Sequence, residues 1–179
     1  MADPSLSRRQ RTILAGVFAG AVFIATILVR VPIPATNGYL NFGDAVIVLV
    51  ALLFGPSTAG LAGSIGSGAA DLVGFPVFAI PTFLIKGLLG VIVGAIGRRR
   101  KRRLPLAIVG AIVGELWMVV GYFLTEAVVF KHSMGIAAAT SEVGFNLVQA
   151  GFGVVIGVGA FAVLRGKRDS GPSGKNDVD

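Results

Sequence analysis

Apolar residues in this chain fall into long, nearly unbroken runs, and most basic residues cluster in the short breaks between those runs or beyond their ends. Six helices are predicted, near residues 12–30, 42–55, 58–74, 77–97, 105–129 and 136–164. The first run, Thr12 to Val29, makes a helix of about 27 Å, which suits the hydrocarbon core of a bilayer. It follows Arg8, Arg9 and Arg11 as a secretory signal would, but it is longer than a usual signal core and is expected to be a retained span. The second and third runs are short, and Gly55-Pro56 divides them. Counting them separately puts the N-terminal arginines, the run Arg98 to Arg103 and the basic tail Arg165, Lys167 and Arg168 on one side of the membrane. Counting them as one strands the middle run on the opposite face. The tendency of basic loops to stay cytoplasmic therefore favours six spans.

The expected fold is an all-α integral membrane protein, a six-transmembrane-helix bundle with both termini cytoplasmic. Residues 1–11 form a cytoplasmic N-terminus, 12–165 the membrane domain, and 166–179 a polar tail expected to be disordered. Composition agrees: 54% of the residues are hydrophobic, 14% are charged and the mean hydropathy is +0.83, so most of the chain is solvated by lipid. The net charge of +7 sits in the flanking runs, which argues for membrane orientation and against a nucleic-acid partner. Anionic lipid headgroups are the simplest partner for Arg98 to Arg103. The chain has no cysteine and only one histidine, His132, so neither a thiolate nor a multi-histidine metal site is expected. No cofactor is implied.

Against this background the polar residues inside the runs stand out. Lys86 lies within the apolar stretch Val77 to Ile96, where an ammonium is costly unless it faces a partner or a polar cavity. Glu142, Asn146 and Gln149 fall at i, i+4 and i+7 and so share one helical face. Glu115, Met118, Tyr122 and Glu126 form a comparable stripe on the fifth helix, with Trp117 beside it. Two readings of the set are open. It is a site for a polar solute entering from outside, or it is a structural network in which Glu126 or Glu142 neutralises Lys86. Asp44 and Asp71 belong to the same polar set, or else Asp44 caps the second helix or meets its dipole and Asp71 is an interfacial residue.

Small residues recur at helical spacing. The first helix carries Ala15-xxx-Ala19 and Gly16-xxx-Gly20; the third carries Gly60, Ser64 and Gly68 on one row, with Gly63 and Ser67 on another. Such rows let helices approach closely in lipid. For the third helix, internal packing is expected. For the first, internal packing and a partner protein remain equal alternatives. The segment Val31 to Asn41 is read as a lid over an outer cavity or an ordinary connector. The glycine-rich stretch Gly63 to Gly68 has neither a Walker lysine nor a preceding strand and is not a nucleotide site.

Phe42-Gly43-Asp44, Phe54-Gly55-Pro56, the small-residue helix ending at Asp71, Lys86-Gly87, Gly121-Tyr122-Phe123 with Glu126, and Asn146 with Gln149 occur here in order. Over roughly residues 10 to 165 this pattern resembles the substrate-binding S components of energy-coupling factor (ECF) vitamin importers. It is most similar to the branch holding riboflavin-, hydroxymethylpyrimidine- and pyridoxine-type binders. The resemblance implies a multi-pass plasma-membrane protein, not an enzyme, that captures a vitamin or precursor. It also implies partnership with a transmembrane coupling protein and two cytoplasmic ATPases. Carried over position by position, the substrate contacts would be Asn41, Lys86, Trp117, Tyr122, Glu126, Glu142, Asn146 and Gln149. The coupling-protein contact would be Ala15 and Ala19. A stand-alone small-solute carrier or channel is the alternative, although no inverted repeat is visible between the halves.

Overall fold

The structure, a computed structural model, describes residues 7–32, 39–98 and 104–169. The helices are α1 (Arg8–Leu28), α2 (Gly43–Phe54), α3 (Pro56–Gly74), α4 (Ala79–Gly97), α5 (Leu104–Leu124) and α6 (Gly135–Asp169). A 3-10 turn, Pro76–Phe78, leads into α4, and one π-helical turn, Thr125–Val129, extends α5. Between α1 and α2 the chain forms a two-residue antiparallel pair, with Val31 opposite Leu40. Residues 33–38 of the expected lid, 99–103 of the basic run, 1–6, and the tail beyond 169 lie outside the described residues.

Local chemistry sets the helix boundaries. Helix α1 begins earlier than its apolar run because Ser7 and Gln10 form a reciprocal cap: the Ser7 side chain accepts from the Gln10 amide, and the Gln10 side chain accepts from the Ser7 amide. At the break between α2 and α3, Gly55 adopts φ of 92°, a conformation that favours glycine, and Pro56 opens α3 where its missing N–H costs nothing.

Helix α2 occupies the middle of the bundle, against α1, α3, α4 and α6. Ile47, Val48, Val50 and Ala51 are fully buried, which explains an apolar helix of only 12 residues. Helices α1, α4, α5 and α6 (α4 and α5 with their flanking turns) are long and apolar enough to cross a membrane. With 12 residues α2 spans only about 18 Å. Helix α3, at 19 residues, spans about 28 Å, but Gly, Ser and Ala dilute its hydropathy.

That composition serves packing, as expected. Gly60, Gly63, Ser64, Ser67 and Gly68 are all buried, and the α3–α4 contact is intimate. A Cβ added to Gly90 would lie 2.6 Å from the carbonyl of Ala59, too close to keep the two helices where they are. In lipid, helix association relies on this closeness of approach and not on expulsion of water.

Candidate functional site

The C-terminal ends of α1, α3 and α5 meet the N-terminal ends of α2, α4 and α6 at one end of the bundle, away from Arg8, Arg98 and Arg165. There the helices surround a half-open cavity with about 520 Å³ of empty space, the open solvent at its mouth included. Its walls are Thr26, Asn41, Ser67, Asp71, Phe75, Phe78, Thr82, Lys86, Tyr122, Glu142, Asn146 and Gln149.

A continuous polar chain holds one side of this cavity. The backbone amide and side-chain amide of Asn41 both donate to Gln149 Oε1, at 2.9 and 3.2 Å. Gln149 Nε2 donates to Asp44 Oδ2 at 2.6 Å, and the Lys86 ammonium donates to both Asp44 oxygens at 2.6 and 2.7 Å. Asn41 Oδ1 also accepts from the amide of Gly43, the first residue of α2, at 2.9 Å. The chain links the loop before α2 to α6, α2 and α4.

The other side is aromatic. Lys86 Nζ lies 5.3 Å from the centre of the Tyr122 ring, a cation–π distance. The Tyr122 hydroxyl pairs with Thr82 Oγ1 at 2.9 Å, and Phe78 packs between Tyr122 and Phe130. A flat heteroaromatic ring can stack on such a wall while the polar side fixes its orientation.

Several sequence expectations converge here. Asn41, Lys86, Tyr122, Glu142, Asn146 and Gln149 all line the cavity, and the i, i+4, i+7 face of α6 does turn inward. Others are corrected. Asp44, not Glu126 or Glu142, pairs with Lys86, so Asp44 is not a mere cap. Trp117 is outside the wall: its indole donates to the Ile85 carbonyl at 3.2 Å and ties α5 to α4. Glu126 is buried behind the wall, within bonding reach of Glu142. Asp71 is a wall residue, 5% exposed, and not an interfacial one. Ala15 and Ala19 are buried against α3, with Gly66 packed on the Ala19 carbonyl, whereas Gly16 and Gly20 are exposed. The small-residue row that faces out of the bundle is thus Gly16 and Gly20, one position on from the pair expected to meet a partner.

Sequence reasoning missed Thr26, Ser67, Phe75, Phe78 and Thr82 as cavity residues. A hydroxyl near the end of an apolar run was the available signal for Thr26. Its Oγ is buried without a hydrogen-bond partner among the described residues, which suits a ligand contact.

Residues 7–165 match the family model of the ECF-type riboflavin transporter, S component. A Pyrococcus woesei protein described only as an uncharacterized protein in the gap 3' region is 44% identical over 147 residues, 81% of this chain and 95% of that protein. A solved structure described as "Structure and mechanism of the S component of a bacterial ECF transporter" shares the fold, with a TM-score of 0.69 at 22% identity. The match covers 91% of this chain and 98% of that one. The match is to a transport component and not to an enzyme class. This chain, a membrane protein with several apolar helices, belongs to the ECF-type riboflavin transporter S component family.

Proposed function

We propose that this chain captures a heteroaromatic vitamin or vitamin precursor of the riboflavin, hydroxymethylpyrimidine or pyridoxine class at the outer face of the plasma membrane. It then delivers the ligand through an ATP-driven importer. The observation that carries this reading is the half-open cavity, with the Asn41–Gln149–Asp44–Lys86 chain on one side and Tyr122 and Phe78 on the other. Asn146, Glu142 and Thr26 add further hydrogen-bonding groups to the wall. In this reading all six helices lie in the membrane, both termini are cytoplasmic and the cavity opens outward.

The chain makes and breaks no bonds. A transmembrane coupling protein and two ATPases would supply the energy, shifting the loaded bundle between outward and inward states. We assign the coupling-protein contact to the exposed face of α1, where Gly16 and Gly20 lie among exposed Ile13, Val17 and Ile24. Small residues flanked by apolar ones let a partner helix approach closely.

Uptake of radiolabelled riboflavin, pyridoxine and hydroxymethylpyrimidine tests the reading, using cells that express the chain with or without an ECF coupling module. Uptake of one of them only with the module supports it. Uptake without the module points to a stand-alone carrier.

A further inference from the structure

Lys86 puts a positive charge into the cavity wall, but that charge is already matched. Two of its three ammonium donors are committed to the two oxygens of Asp44, and both residues are almost fully buried. The other charged wall residues, Asp71 and Glu142, are acidic. Behind Glu142 stands Glu126, 1% exposed, its carboxyl within bonding reach of the Glu142 carboxyl and with no other side-chain partner among the described residues. The nearby basic groups lie outside the wall. Arg30 turns its guanidinium to the Ala70 carbonyl at 2.9 Å, beside Asp71, and Lys131 and His132 are exposed in the turn before α6. Glu142 and Glu126 therefore give the cavity an acidic corner with no cation of its own among the described residues.

We infer that Glu142, backed by Glu126, is a specificity-determining residue. It takes hydrogen-bond donors of the ligand, hydroxyl or ring N–H, and disfavours the phosphate ester of the same compound. The inference rests on the vitamin-capture reading and adds the form of the ligand that is taken. A phosphate brings up to two negative charges into a small cavity where the Lys86 ammonium is already matched, next to carboxyls that repel it. The free alcohol brings donors that a carboxyl accepts well.

Titration of the detergent-purified chain tests this with three pairs: riboflavin and its 5'-phosphate, pyridoxine and its 5'-phosphate, hydroxymethylpyrimidine and its monophosphate. For the pair that binds, the ester is expected to bind at least about tenfold more weakly than the alcohol, roughly 1.4 kcal/mol. Glu142→Gln keeps the shape and removes the charge, so it should shrink that ratio to within about threefold. Glu126→Gln should move the ratio in the same direction by a smaller factor. Equal affinities for alcohol and ester in the unaltered chain overturn the inference while leaving vitamin capture intact. A ratio that neither variant changes assigns the discrimination to shape and overturns it too. If no compound of any pair binds, vitamin capture itself fails and the inference falls with it.

Discussion

The Lys86 ammonium of α4 meets both carboxylate oxygens of Asp44 on α2, 2.6 and 2.7 Å away, with the two side chains 2% and 1% exposed. Gln149 of α6 donates to the same carboxylate. One neutral, hydrogen-bonded group thus joins three helices at the cavity wall. Separating charge from water at this depth is costly, and only a partner at close range offsets it.

Removing one member of that pair should therefore damage the fold as well as the site. Lys86→Leu strands the Asp44 carboxylate and Asp44→Leu strands the ammonium, each costing about 3–5 kcal/mol. The double variant Lys86→Leu/Asp44→Leu should recover much of the loss while ligand affinity stays low. Thermal unfolding in detergent with parallel ligand titration checks this; a double variant no more stable than either single one would show that the pair is not coupled.

The inward face of α6 makes a second prediction. Asn146→Leu should weaken ligand binding by about tenfold or more, the worth of one or two hydrogen bonds. Val148→Leu, half-exposed on the lipid side, should leave affinity within about twofold. Equal effects in titration would mean that this face does not contact the ligand.

Trp117 separates structure from binding. Trp117→Phe removes the bond to the Ile85 carbonyl and should cost roughly 0.5–1.5 kcal/mol of stability with no change in ligand affinity. A drop in affinity at unchanged melting temperature would return Trp117 to the ligand site.

The choice between the two small-residue rows of α1 is also measurable. Gly20→Phe projects into open space and should block co-purification with a coupling module while ligand capture survives. Ala15→Trp should instead lower the melting temperature, because Ala15 is 3% exposed and an indole there overpacks the bundle. The opposite pattern would restore the contact to Ala15 and Ala19.

These cases mark what was legible in the sequence. The α6 face and the buried rows of α3 follow from helical period and residue size, which act within one helix. The partner of Lys86 does not, because Asp44 is 42 residues away and Glu126 and Glu142 fit the same role on sequence alone. Choosing among them needs the packing of α2 at the centre of the bundle. Ala15 and Gly16 are neighbours about 100° apart around α1, so two equally small rows differ only in which way the helix is turned. Trp117 lies beside the Glu115 stripe, but its indole is taken up by a backbone carbonyl that no pattern announces.

Vitamin capture is tested most directly by mass spectrometry of small molecules released when the detergent-purified chain, expressed in vitamin-rich medium, is denatured. One heteroaromatic compound near one equivalent per chain is the expected result, absent from the Lys86→Leu/Asp44→Leu variant. A chain that releases no such compound, and binds none of the riboflavin, pyridoxine or hydroxymethylpyrimidine ligands on titration, would contradict it.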